Sequence, residues 1–251
     1  MDRIQLKTPK EIEIMAKGGH ILAMILHEMA KASKIGVSTK DLDYLAEDLC
    51  KKYGVIPSCK GYHGFPAAYC SCVNDVVEHG IPSAKEILKD GDVFTIDMVV
   101  KYEGFHTDAA ITVPIGNASQ ENLDFIYTVK KARDSAIAKV KPGRRIGDLA
   151  AIMEYTVRSR GYSPVYELVG HGIGREMHEA PEVPSYGDPG TGPALVEGMV
   201  IAIEPVIAKG NSAIEISKQD GWTARVKDGS ISAVFEHTVA VTKDGCRVLT
   251  I

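Results

Sequence analysis

The 251-residue chain has one tryptophan, only 6% aromatic residues and no apolar run long enough to cross a membrane. Its strongest apolar stretch, residues 21–26, is ended by His27 and Glu28. The first ten residues hold Asp2, Arg3, Lys7 and Lys10 where a secretory signal would have an apolar core. The chain is therefore expected to begin directly at its folded domain and to reside in the cytoplasm. Cysteine usage agrees: Cys50, Cys59, Cys70, Cys72 and Cys246 are odd in number and form no disulfide framework, as expected of reduced thiols. A zinc cluster of Cys59, His63, Cys70 and Cys72 is disfavoured because a single residue separates Cys70 from Cys72. No charge of either sign dominates, and a net charge of −4 argues against nucleic acid as the main ligand. The one basic group, Lys139, Lys141, Arg144 and Arg145, reads as a solvated loop rather than a docking surface. What remains is an ordinary globular composition, 45% hydrophobic and 25% charged, with enough chain to bury a real core.

The chain repeats itself at an offset of 107 residues. Gly36 falls on Gly143, Asp41 and Leu42 on Asp148 and Leu149, Glu47 on Glu154, Gly54 on Gly161 and Pro57 on Pro164. Further along, Gly91 falls on Gly198, Val93 on Val200, Ile96 on Ile203, and Asp97 on Glu204. A constant offset over so many separated positions implies a single domain spanning 1–251, made of similar halves at about 1–115 and 116–251. Each half opens with two segments of helical periodicity, 9–31 and 39–52 in the first, 119–140 and 147–160 in the second. Ser38 or Thr39, and Ser119, suit N-caps, while Gly54 and Gly161 suit stops. Each half then turns to strands.

Those strands carry a puzzle. "DVFTIDMVVKYEGFHTDAAITV" (92–113) reads as two β-strands around a tight turn, yet each holds an aspartate, Asp97 and Asp108, among apolar residues. A two-residue loop at Tyr102 and Glu103 sets Asp97 directly opposite Asp108, about 5 Å away on one face. The alternative is a bulge at Gly104, which shifts the register by one. The second half repeats the theme with Glu204 and with Glu236, which opens "EHTVAV". A charge buried alone is costly, so these carboxylates must be paired, protonated or bound to cations. Folding the halves about a pseudo-two-fold axis brings all four together, where two divalent ions balance four negative charges. His171, between glycines in "ELVGHGIGREMHEAPEVP", is placed to offer a ring nitrogen as a fifth ligand. His20, His27, His106 and His237 have no such setting and read as ordinary residues.

Asp97, Asp108, His171, Glu204 and Glu236, in this order, resemble the five metal ligands of the methionine aminopeptidases, and "GHGIGREMHEAPEVP" closely matches that family's signature. The resemblance spans essentially the whole chain. It implies an α/β (α+β) "pita-bread" fold, two pseudo-two-fold-related halves with helices packed outside a curved antiparallel sheet. It also implies removal of the initiator methionine from nascent proteins whose second residue is small. Only 32 residues separate Glu204 from Glu236, too few for the helical subdomain that the family's other main class inserts there, so the chain looks like the bacterial type I enzyme. The implied cofactors are two divalent ions (cobalt, manganese, iron or zinc) sharing a water that attacks the scissile carbonyl, with Glu204 as base and proton shuttle. His178 matches the histidine that stabilises the oxyanion, and His79, in "VEHGIP", the one that contacts the peptide nitrogen. The implied methionine pocket comprises Cys59, Tyr62, Phe65, Cys70, Met177 and Trp222, with His63 nearby. Phe65 stands where the family commonly has tyrosine, and Met177 where it commonly has an aromatic residue. A sodium or potassium site on the main-chain oxygens of Asn74, Val76 and Ser232 is implied as well. The partners are nascent polypeptide N-termini, met transiently at the ribosome, and the enzyme is expected to be a monomer without membrane contact.

Three rivals are weaker. Hydrolases of Xaa-Pro bonds in this fold generally carry an extra N-terminal domain, non-catalytic relatives have lost ligands, and a metal-dependent phosphoesterase would need a phosphate-cradling glycine loop or an arginine beside the ligands.

Overall fold

The first helix begins where local chemistry dictates. The Thr8 side chain accepts the Glu11 amide hydrogen bond, the Glu11 carboxylate accepts that of Thr8, and Pro9 brings no amide hydrogen to leave unsatisfied. In the computed structural model, which describes residues 4–251, this helix α1 runs Pro9–Ala32. The charged start at Asp2 and Arg3 lies outside the described residues. Helix α2 (Thr39–Tyr53) is capped by Ser38 and closed by Gly54 at φ 69°, a left-handed position suited to glycine. Helix α3 (Gln120–Ile137) is capped by Ser119, and α4 (Ile146–Arg158) gives way to a turn through Gly161. All four lie within three residues of the sequence expectation at each end.

The repeat is visible in the elements. Helix α4 starts 107 residues after α2, the short strand Ser163–Pro164 follows Ile56–Pro57 by the same interval, and Val200 follows Val93. In the first half the strand Val93–Tyr102 pairs antiparallel with Phe105–Pro114 along one edge, and with Cys70–Val73 and Ile56–Pro57 along the other. In the second half a five-stranded antiparallel sheet runs Cys246–Val248, His237–Val241, Val200–Ile203, Gly170–Gly172, Glu179–Val183. Side chains alternate across a strand. Phe94, Ile96 and Met98 therefore pack with Leu22, Ile25, Met29, Leu42 and Leu49 of α1 and α2. Ile201, Ile203 and Val239 pack likewise with Phe125, Val129, Leu149 and Met153 of α3 and α4. Helices thus cover one face of each sheet, and the alternate residues, which include Asp97, Asp108 and Glu204, fall on the other.

The hairpin register differs from the expected one. Asp97 faces Ala110, and Asp108 faces Val99, so the two aspartates are diagonal neighbours on a shared face rather than directly opposed. The turn is Glu103–Gly104, at φ 45° and 87°, not Tyr102–Glu103. A two-residue hairpin turn with both central residues at positive φ matches the twist of the flanking strands, and glycine accepts that conformation more readily than tyrosine. In the second half His237 faces Ile203, so the same register carried one step further sets 236 against 204.

Candidate active site

The two sheets meet where Phe105–Pro114, at the edge of the first, abuts residues 234–238 leading into His237–Val241 of the second. The Glu236 amide donates to the Ala110 carbonyl at 2.9 Å. The Thr238 hydroxyl accepts the Asp108 amide at 2.9 Å and donates to the Asp108 carbonyl at 2.8 Å. These bonds clamp Asp108 and Glu236 side by side. One donor atom from each of Asp108, His171 and Glu236 lies within 4.8 Å of the others, and a neighbouring trio of Cys70, Glu78 and Asp97 meets the same limit.

His171 is aimed by its backbone. Its Nδ1 lies 2.8 Å from the Gly172 carbonyl oxygen, an acceptor, so Nδ1 carries the hydrogen and Nε2 keeps its lone pair. Nε2 stands 3.5 Å from a Glu204 oxygen and 3.8 Å from an Asp108 oxygen. The flanking glycines are required by close approach: a Cβ on Gly170 would sit 2.5 Å from the Ala202 carbonyl, and one on Gly172 would sit 2.2 Å from that of Ala180. Burial lowers the His171 pKa to about 4, helped by the nearby His178 and opposed by the Gly172 carbonyl, so the ring is neutral and able to ligate.

The carboxylates are pushed the other way. Burial raises Asp97 to about 6, against hydrogen bonds from Glu78, Cys70, Asp108 and the Met98 backbone that favour its anion. Burial, then the charges of their neighbours, moves Asp108, Glu204 and Glu236 well above the usual carboxylate range. Asp108 Oδ1 and Glu236 Oε1 are buried without a hydrogen-bond partner among the described residues. Buried acceptors without donors are rare because they forfeit hydration, and a cation is the partner that repays several at once. The donor set, carboxylates plus one neutral imidazole, fits first-row divalent ions.

Above this floor opens a cleft of about 1510 Å³, whose lining includes Cys59, Tyr62, Phe65, Cys70, Met177 and Trp222, together with His79 and His178. Phe65 meets Trp222 edge-on at 5.3 Å between ring centres, and Trp222 meets His79 at 6.1 Å. His178 Nδ1 lies 3.0 Å from the Tyr62 hydroxyl, and its ring lies 4.4 Å from that of His171. Burial and the adjacent His63 lower the His178 pKa, and burial, then His178, lowers that of His79. His63 is exposed, packs edge-on against Tyr62 and is not among the cleft-lining residues. Elsewhere, the Ser232 hydroxyl donates to the Val76 carbonyl at 2.9 Å and its amide to the Asn74 carbonyl at 2.8 Å, which brings the backbone of these three residues together.

Sequence reasoning missed Glu78. It closes the run Val76-Val77-Glu78, so the signal that singled out Asp97, a carboxylate in an apolar strand, was present there too.

Residues 13–243 match the model of metallopeptidase family M24. The chain belongs to that family. It is 45% identical over 248 residues to a methionine aminopeptidase of Clostridium acetobutylicum, covering 99% of each chain. The crystal structure of methionine aminopeptidase from Thermotoga maritima superposes with a TM-score of 0.97 at 40% identity, again over 99% of each chain. Prolidase from Pyrococcus furiosus matches at a TM-score of 0.79 with 24% identity, over 98% of this chain but 65% of that one, a likeness of fold alone. The expected pita-bread architecture is thus the architecture of this M24 member.

Proposed function

We propose that this M24 protein is a methionyl aminopeptidase that removes the N-terminal methionine from polypeptides whose second residue is small. One observation carries the reading: partnerless buried oxygens of Asp108 and Glu236 lie in a carboxylate-imidazole floor beneath an apolar, sulfur- and aromatic-lined cleft. Asp97, Asp108, His171, Glu204 and Glu236 would hold two divalent ions, which supply Lewis acidity toward the scissile carbonyl and acidify a water. Metal-dependent hydrolysis follows from the family, and the number and kind of ions belong to this proposal.

The chain's own residues do the rest. Cys59, Tyr62, Phe65, Cys70, Met177 and Trp222 receive the methionine side chain, an unbranched thioether suited to an apolar, polarisable pocket. Glu204 takes the proton of the attacking water at its carboxylate and delivers it to the departing amine. His178 is neutral, and in the tautomer whose Nδ1 accepts from the Tyr62 hydroxyl 3.0 Å away, Nε2 bears the hydrogen and donates to the developing oxyanion. His79 contacts the peptide nitrogen beyond the cut. A larger second residue would lift the peptide from attack geometry beside His79, and a misplacement of about 1 Å can cost roughly 10²-fold. An acidic one would also face the carboxylate floor. Nascent chain ends met at the ribosome are the proposed source of substrate.

Chelator-stripped protein reloaded with Mn²⁺ is the test, with free methionine followed from Met-Ala-Ser and from Met-Asp-Ser. Release from the first alone is expected. No release from either peptide with any of the four candidate ions would overturn the assignment.

A further inference from the structure

A carboxylate outside the five-ligand pattern lies against the metal floor. Glu78 ends the strand Val76–Glu78 and is held there by pairing with Ala224 of the strand Ala224–Val226. Alternation puts Glu78 on the face of Val76, which packs with Cys70 and Cys72, while Val77 packs oppositely with Val206 and Ala208. The next residue, His79, has φ 56°, a conformation uncommon outside glycine, and both Glu78 and His79 line the cleft. Glu78 is only 5% exposed. Its carboxyl lies beside that of Asp97, and donor atoms of Cys70, Glu78 and Asp97 lie within 4.8 Å of one another. None of the ion pairs among the described residues involves Glu78. An acidic group this deep needs a cation or a proton, and two acids in contact do not neutralise one another.

We propose that Glu78 is a further metal ligand, an oxygen donor to the divalent ion that Asp97 holds. The inference rests on the dinuclear centre proposed above and deepens it. Cys70, the third member of the trio, is a soft thiol buried in the same apolar cluster as Cys59, which leaves the two carboxylates as the hard donors on this side. A fifth carboxylate raises both the negative charge and the number of oxygen donors around the ion. That combination favours a hard, high-coordination ion such as Mn²⁺ over a tetrahedral one. A structural role would be different: Glu78 would only hold Asp97 in place through a hydrogen bond.

Two variants separate these roles. Glu78→Gln keeps a side-chain amide able to donate to Asp97 but removes the anionic donor. Glu78→Met keeps approximate volume and removes both. Mn²⁺ uptake by chelator-stripped protein is measured by calorimetric titration, and thermal unfolding is recorded with and without the ion. Glu78→Gln is expected to bind Mn²⁺ at least tenfold more weakly at one site, the scale set by losing even an outer partner of a metal ligand. Glu78→Met is expected to melt higher than wild type when stripped, because carboxylate crowding is relieved, and to gain less from Mn²⁺. Wild-type Mn²⁺ affinity and stoichiometry in either folded variant would overturn the assignment of Glu78 while leaving the dinuclear centre intact. Failure of the wild-type chain itself to take up Mn²⁺ would overturn the centre, and this inference with it.

Discussion

The two halves of the molecule place their carboxylates by different means. In the first, Asp97 and Asp108 sit on adjacent strands joined by the tight turn Glu103–Gly104, and the hairpin alone sets their spacing. In the second, Glu204 and Glu236 lie one step beyond paired strands, and the chain between them makes the short strands Val206–Ala208, Ile214–Ile216, Ala224–Val226 and Ser232–Val234. That excursion crosses to the other half. Ala224–Val226 pairs with Val76–Glu78, the Ser232 amide donates to the Asn74 carbonyl, and Arg225 holds Asp75 at 3.0 Å. It also delivers Trp222 to the cleft opposite Phe65. Duplication therefore accounts for a near-symmetric carboxylate floor, and the inserted excursion makes the cleft above it one-sided. A pseudo-symmetric floor can bind ions, but only an asymmetric cleft can distinguish the methionine side of a peptide from the leaving side.

Equivalent halves would respond equally to substitution, and the largest expected effect contradicts equivalence. Glu204→Gln removes a base as well as a donor, so methionine release from Met-Ala-Ser should fall by about 10³-fold or more. Loss no greater than that of Asp97→Asn would show that Glu204 serves only as a ligand. His178→Ala comes next, with kcat reduced about 10²- to 10³-fold and KM nearly unchanged, because an oxyanion donor matters most in the transition state. A loss carried wholly by KM would assign His178 to ground-state binding instead. Trp222→Ala probes the excursion itself. Truncating one apolar wall should raise KM roughly tenfold, equivalent to about 1.4 kcal/mol, while Mn²⁺ affinity by calorimetry stays at the wild-type value. A fall in ion affinity would mean that wall and floor are not separable. Tyr62→Phe should lower kcat only about two- to tenfold, the scale of one net hydrogen bond, by freeing the wrong tautomer of His178.

The floor also makes a prediction in stability. Asp97, Asp108, Glu204 and Glu236 have raised pKa values in the ion-free fold, so the folded state binds more protons than the unfolded one above the ordinary carboxylate range. The stability they contribute is present at low pH and is lost as pH rises through their folded values, of which that of Asp97 is about 6. Divalent ions held as proposed would replace the protons. The rise in Tm on adding Mn²⁺ should therefore grow from about pH 5 to about pH 8, and a gain independent of pH would show that the ions bind elsewhere.

Much of this was legible in the residues. Helix positions followed from apolar periodicity and from local capping by Ser38 and Ser119, interactions that span three residues. The repeat exposed the carboxylates because duplication preserves spacing within each half. The hairpin register did not follow, since two turn placements that differ by one residue give equally apolar strands, and backbone twist chooses between them. Glu78 was passed over because it has no partner at the repeat offset, where position 185 is a serine.

By itself, then, the sequence determined which segments are helices, that the chain is two related halves, and that Asp97, Asp108, Glu204 and Glu236 stand in or beside its apolar strands. These are matters of local hydrogen bonding and of alternation along a strand. Tertiary structure alone decided the diagonal offset of Asp97 and Asp108, the clamp between Thr238 and Asp108, and the meeting of Tyr62 with His178 across 116 positions. It alone brought Glu78 against Asp97. Such contacts depend on how two sheets pack and on where an insertion crosses between them, and no pattern along one strand encodes the distance between side chains on two.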